Sequence, residues 1–273
     1  RYIGTLNGKF QRDGLGLQNL ENGDQYFGQF AQDQRNGEGY YFWTPKTNEN
    51  RVQTEFYDGK WKDNKKDEKG AYIWMDEPTD DQSYENAIFD AYIGELKDEK
   101  YTRGTYLSKT ETDFYLYHGN FDDECKKSDE SAFFYTSQLN RIFHGAINKD
   151  LLVNGYIAYF EPDSDEIKEL VHCTFNEDGS IDEIKRQKDI NEDEAEDEIR
   201  NIKNFKSVIF DGNYFPKIYT RYRKAKTFIE DNANSIELLE DKENIPKIQK
   251  LLKKYNSKSI YNSIEENFFG REL

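Results

Sequence analysis

Residues 26–39, YFGQFAQDQRNGEG, set the pattern of the chain. Tyr26, Gly28 and Phe30 occupy alternate positions, a polar segment follows at 31–36, and Gly37 and Gly39 come after it. In an extended strand alternate side chains share a face, so two rings point one way with a gap between them. The polar segment turns the chain, and the late glycines permit a second strand that bends or packs closely. The same order returns at Tyr57, Gly59 and Trp61 with Gly70 thirteen residues on, and precedes it at Tyr2 and Gly4 with Gly14 and Gly16. Further copies start at Tyr92 with Gly94, at Tyr117 with Gly119 and Phe121, and at Phe143 with Gly145. A hairpin of about 23 residues is not stable alone, so six of them must stack.

The expected fold is therefore mainly β with an α-helical C-terminal region. An elongated single-layer antiparallel ribbon of successive hairpins occupies 1–160. A non-repeat hairpin around Asp178-Gly179 and an acidic connection follow at 161–188. Polar linkers are expected at 44–55 and 76–85, and residues 122–130 form the turn of the fifth hairpin. From 189 the period becomes helical: Ile199, Ile202 and Phe205 share a face, as do Ile218, Tyr222, Ala225 and Ile229, and Ile248, Leu251, Leu252 and Tyr255. Asn191 with Glu194 and Asn234 with Glu237 are capping-box-like starts, and 189–273 reads as four or five short amphipathic helices.

These units resemble the MORN repeat, the membrane occupation and recognition nexus family, whose unit is Tyr-x-Gly-x-Trp, a polar turn, Gly-x-Gly and one further turn glycine, here Gly23 before Tyr26. The resemblance covers about 1–160 and is most regular in the first three units. Unit four keeps only Gly104, unit six only Gly155, and unit five no late glycine. It implies a non-enzymatic structural or adaptor subunit of a cytoskeletal assembly, similar to radial-spoke components of ciliary axonemes or to the cortical cytoskeleton of protists. It also implies a cytoplasmic, cytoskeletal location and partner proteins bound by the ribbon and the tail. The alternatives are a membrane or phosphoinositide tether and a regulatory array for an enzyme on another chain.

Composition sharpens this picture. Aromatic residues make up 15% of 273 positions while mean hydropathy is −1.04. Disordered chains are poor in aromatics, so a thin sheet with both faces partly wet is expected. No apolar run reaches membrane-span length. The net charge of −16 repels anionic lipid. No signal-peptide pattern opens the chain; it starts at Arg1 and not at Met, which leaves room for an upstream segment. Cys125 and Cys173 stand in unrelated contexts and fit a reducing compartment. Residues 161–198 hold 16 acidic against 4 basic side chains, whereas 199–273 hold 10 against 15. The basic cluster Lys217, Arg221, Arg223, Lys224 and Lys226 reads either as a solvated helix face or as a docking surface. Its acceptor is the protein's own array or, the version preferred on sequence, another chain.

The sequence carries no complete catalytic or metal motif. Residues 189–193 imitate the start of a calcium loop, but Glu194 and Arg200 stand where Gly and Glu are required. His172 and Cys173, adjacent on a strand, face opposite ways. His118 and His144 fill the slot before a repeat glycine, away from the ladder, and read as solvated. No Ser/His/Asp or Cys/His set has a second member. About 113 residues follow the array and carry no cofactor motif, which leaves no room for the methyltransferase or lipid-kinase domains that sometimes follow such arrays. No catalytic residue, metal, cofactor, nucleic acid or small-molecule ligand is expected.

Overall fold

A computed structural model describes residues 1–48, 51–78, 87–161, 164, 166–211, 216, 218–220 and 222–227. The strands are β1 (Tyr2–Leu6), β2 (Arg12–Asn19), β3 (Gln25–Ala31), β4 (Gln34–Phe42), β5 (Lys46–Asn48), β6 (Arg51–Lys62), β7 (Lys65–Pro78) and β8 (Ile88–Lys97). They continue with β9 (Lys100–Lys109), β10 (Phe114–Asn120), β11 (Asp129–Thr136), β12 (Arg141–Asn148), β13 (Leu151–Phe160), β14 (Ile167–Phe175) and β15 (Ile181–Arg186). All fifteen belong to one open antiparallel sheet in which each strand pairs with its chain neighbours, β5 lying off the path against β6. Helix α1 (Glu192–Asp211) follows, and residues 218–220 and 222–227 are helical beyond it.

Local chemistry explains the hairpins. Gln32 and Asp33, Asp63 and Asn64, Asp98 and Glu99, and Lys149 and Asp150 all have positive φ. That is the two-residue turn whose twist suits antiparallel strands. The hairpin at 176–180 closes with Gly179 at φ +81. Asn191 caps α1 as expected, its side chain accepting the Glu194 N–H at 3.3 Å.

Three expectations change. The 44–55 linker is largely strand, since β5 and the start of β6 occupy it; the matching polar stretch at 76–78 continues β7, and 79–86 lies outside the described residues. The sheet is not wet on both faces. Phe27, Phe56, Ile73, Phe89, Leu107, Leu116 and Leu170 line the face opposite the ladder and are all buried. Ala195, Ile202, Phe205, Ile218, Tyr222 and Ala225 of the helical residues join their cluster. The first helix is also long, 20 residues, because its apolar stripe packs across the second sheet face at β12–β14. The helices expected beyond residue 227, with the cap at Asn234, lie outside the described residues.

Candidate functional site: the aromatic ladder face

The repeat glycines form a single row across the sheet. Gly4 pairs with Gly16, Gly16 with Gly28, Gly28 with Gly39, and Gly39 with Gly59. Gly59 pairs with Gly70, Gly70 with Gly94, Gly94 with Gly104, and Gly104 with Gly119. Gly145 and Gly155 continue the row, which reaches Cys173 on β14. Ala132 faces Gly145 and stands beside Gly119, where an added methyl would meet it at 3.2 Å. Unit five thus has its late small residue, as alanine.

Each tyrosine lies over the row. A methyl on Gly39 or on Gly70 would sit 2.6 Å from the ring of Tyr26 or of Tyr57. The hydroxyl then reaches the backbone carbonyl three residues on: Tyr2 to Thr5 at 2.9 Å, Tyr26 to Gln29 at 2.9 Å, Tyr57 to Lys60 at 3.0 Å, Tyr92 to Glu95 at 2.6 Å and Tyr117 to Asn120 at 2.5 Å. Burial raises the Tyr26 and Tyr57 phenols far above their usual range, so they stay neutral donors. The ring four residues on wedges edge-on between its own tyrosine and the one before. Phe30 lies 5.0 Å from Tyr26 and 5.3 Å from Tyr2; Trp61 lies 5.2 Å from Tyr57 and 5.5 Å from Tyr26; Phe121 lies 5.2 Å from Tyr117 and 5.4 Å from Tyr92. Edge-to-face geometry is the favoured one for such pairs.

The turn end of this face carries cations over its rings. Arg35 stands 4.5 Å over Trp61 and 5.0 Å over Tyr41, Lys66 4.1 Å over Tyr72, Arg12 5.1 Å over Phe30, and Lys127 5.4 Å over Tyr106. Cations on ring faces are attracted by the ring quadrupole. They also bind the next turn: Arg12 contacts Asp33, Arg35 donates to the Asn64 carbonyl at 3.0 Å, and Lys127 Nζ donates to Asp150 at 3.3 Å. Burial holds the Lys66 ammonium below its ordinary range. Sequence reading missed these cations, although Arg35 and Lys66 each stand nine residues after their tyrosine; that offset was the available signal.

The far end is acidic and holds a cleft of about 580 Å³ lined by Trp43, Trp74, Asp24, Glu55, Asp76 and Asp90 among others. Trp43 stacks 5.3 Å from Tyr72, which lies 4.1 Å from Trp74. Burial pulls the Asp24 carboxyl upward, but hydrogen bonds from the Thr44 N–H at 2.8 Å, Tyr41 at 2.8 Å and Asn22 at 2.8 Å outweigh it and keep it below the usual range. Glu55 accepts from Tyr72, and Asp76 from Arg51 at 2.9 Å. Rings and fixed carboxylates in one cleft suit the stem and head of a basic side chain.

The opposite face receives part of the tail. Buried Glu77 on β7 accepts from Tyr219 at 2.7 Å and contacts Lys226 at 3.1 Å and Arg223 at 3.4 Å. For these two cations the acceptor is the protein's own sheet, which corrects the preference for another chain. Lys224 is exposed, and Lys217 and Arg221 lie outside the described residues. The histidines also depart from expectation. They face away from the ladder, but into the covered face: His118 is buried and bonded to Thr105 at 2.9 Å, and His144 bonds Glu198 at 2.6 Å. Asp189 ends a short 3-10 turn (Gln187–Asp189), and Asp193 lies in the first turn of α1. Among the described residues no cluster of three metal-ligating side chains occurs, and no helix is long and apolar enough to cross a membrane.

No curated protein matches the chain. The MORN repeat family matches it at residues 26–47 and 57–77, which are β3–β4 and β6–β7 with their turns. With glycines roofed by tyrosines in each, these two hairpins are MORN repeats.

Proposed function

We propose that this chain is a structural or adaptor subunit of a cytoskeletal assembly, a ciliary axoneme foremost, and that its ladder face receives a segment of a partner protein. The observation that carries the reading is the asymmetry of the two faces. The chain's own helices cover one, and among the described residues no helix lies on the other, whose partly accessible rings run from β1 to β14. A continuous apolar face rimmed by charge is the anatomy of an interaction surface. Its acidic cleft favours a partner with a Lys or Arg side chain. A net charge of −16 weighs against anionic membranes.

The test compares the intact protein with Trp43→Ala and Trp74→Ala, two partly buried residues outside the glycine row. Co-purification from ciliated cells should recover a defined axonemal partner with the unaltered protein and lose it with either variant, while thermal unfolding shows that both variants still fold cooperatively. Equal recovery by all three, or sedimentation with anionic liposomes in place of a protein partner, would overturn the reading.

A further inference from the structure

Beneath α1, on the face away from the ladder, three residues distant in sequence meet. Ser131 Oγ lies 2.8 Å from His144 Nε2, and His144 Nδ1 lies 2.6 Å from Glu198 Oε1. We infer that Ser131, His144 and Glu198 form a nucleophilic site that hydrolyses small acyl esters.

The carboxylate decides the tautomer. Glu198 accepts a proton held on Nδ1, which leaves Nε2 bare toward the Ser131 hydroxyl. The ring cannot swing away: it stacks 4.0 Å from Phe133, itself stacked 4.2 Å from Phe205 of α1. A β-bulge aims the serine. The β11–β12 register shifts between Asp129 and Ala132, and Asp129 holds the bulge by accepting the N–H groups of Asn120 and Ser131, each at 2.7 Å. Bulges commonly re-aim side chains beside active sites. Ser131 is exposed, whereas the His144 and Glu198 side chains keep 14% and 10% of their surface. The nucleophile therefore meets solvent while its base is sheltered. A pocket of about 280 Å³ opens at Ser131 and His144, with Arg103, Asn201 and Asn204 in its wall. These are the donors available to a developing oxyanion, and the volume suits a short acyl group.

The chemistry closes with water alone. Ser131 Oγ attacks the ester carbonyl carbon as its proton moves to His144 Nε2. The bond from that carbon to the alkoxy oxygen breaks, and the leaving oxygen takes the proton from Nε2. Water then attacks the acyl-serine, giving its proton to Nε2, which returns it to Ser131 Oγ as the carboxylic acid departs. Glu198 is a positioning residue.

The experiment treats the full chain with a fluorophosphonate, locates the label by mass spectrometry, and measures p-nitrophenyl acetate hydrolysis. The expected result is labelling at Ser131. Ser131→Ala should remove both label and turnover, and His144→Gln should slow labelling about 100-fold, the usual range for a lost general base. With Glu198→Gln the rise of labelling with pH should move to lower pH. The imidazolium then loses its neighbouring anion, while Arg103, His118 and Asp129, the other ionisable residues lining the pocket, stay in place. A structural role for Glu198 would not move that profile. Thermal unfolding of each variant verifies folding, and exposed Ser131 tolerates alanine. No label at Ser131 in the unaltered protein, or equal labelling and turnover in folded His144→Gln, would overturn the inference.

Discussion

Lys226 Nζ lies 3.1 Å from Glu77 Oε2, joining the helical tail to a strand 149 residues earlier. Glu77 is 2% exposed, so its charge depends on Lys226, Arg223 and the Tyr219 hydroxyl. Removing one partner of a buried ion pair is costly because the other charge is left uncompensated. Glu77→Ala should lower stability by about 3 kcal/mol, the low end for a buried pair because Arg223 and Lys226 keep some access to water. Denaturant unfolding checks this; a loss under about 1 kcal/mol, as for an exposed pair, would contradict it.

Crowding the glycine row should be worse than crowding a loop. A Cβ on Gly28 would lie 2.6 Å from the Glu38 carbonyl oxygen, and one on Gly59 would lie 2.6 Å from the Gly70 Cα. Those are backbone atoms, which cannot step aside. Gly28→Val and Gly59→Val should each cost about 3 kcal/mol or more, the upper range for overpacking. Gly8→Ala, with no atom within 4 Å, should be near neutral. Equal melting temperatures across the three variants would refute the close approach of the strands.

The tyrosine hydroxyl is a smaller matter than its ring. Phe143 occupies the tyrosine position of unit six and still lies over Gly155, its ring 2.8 Å from where a methyl would stand. Tyr57→Phe should thus cost only about 1 kcal/mol, the worth of one hydrogen bond. Tyr57→Ala should cost about 3–5 kcal/mol through the cavity left. Comparable losses for the two would mean that the hydrogen bond, not the ring, holds the unit.

His118 links stability to pH. Burial between sheet and helix pushes its imidazole down to about 4, Arg103 lowering it further and Asp129 opposing. An unfolded histidine titrates near 6.5, so between those values the unfolded chain binds a proton that the folded one does not. The stability that neutral His118 contributes is complete above about pH 6.5 and falls as pH drops towards 4, by about 3 kcal/mol in all. Unfolding at pH 7.5 and 4.5 should show a steeper loss in the unaltered protein than in His118→Gln. Parallel losses, or an NMR titration of His118 near 6.5, would reverse the argument.

What the sequence determined by itself is the ladder. Strand alternation and a two-residue turn are local properties, so Tyr26, Gly28 and Phe30 had to share a face wherever the hairpin went. The helix start at Asn191 was legible for the same reason. Ala132 was not, because its place in the glycine row depends on how the 122–128 turn sets the register of β11 against β10. The second buried face was not legible either. Phe27, Phe56, Phe89 and Leu107 stand in slots that the repeat leaves free, and only helices folding back over them make those slots a core. Tertiary structure alone also brought Glu198 to His144, 54 residues away, and Lys226 to Glu77. Such meetings carry no local signature: they are decided by where an amphipathic helix finds the largest apolar surface to cover.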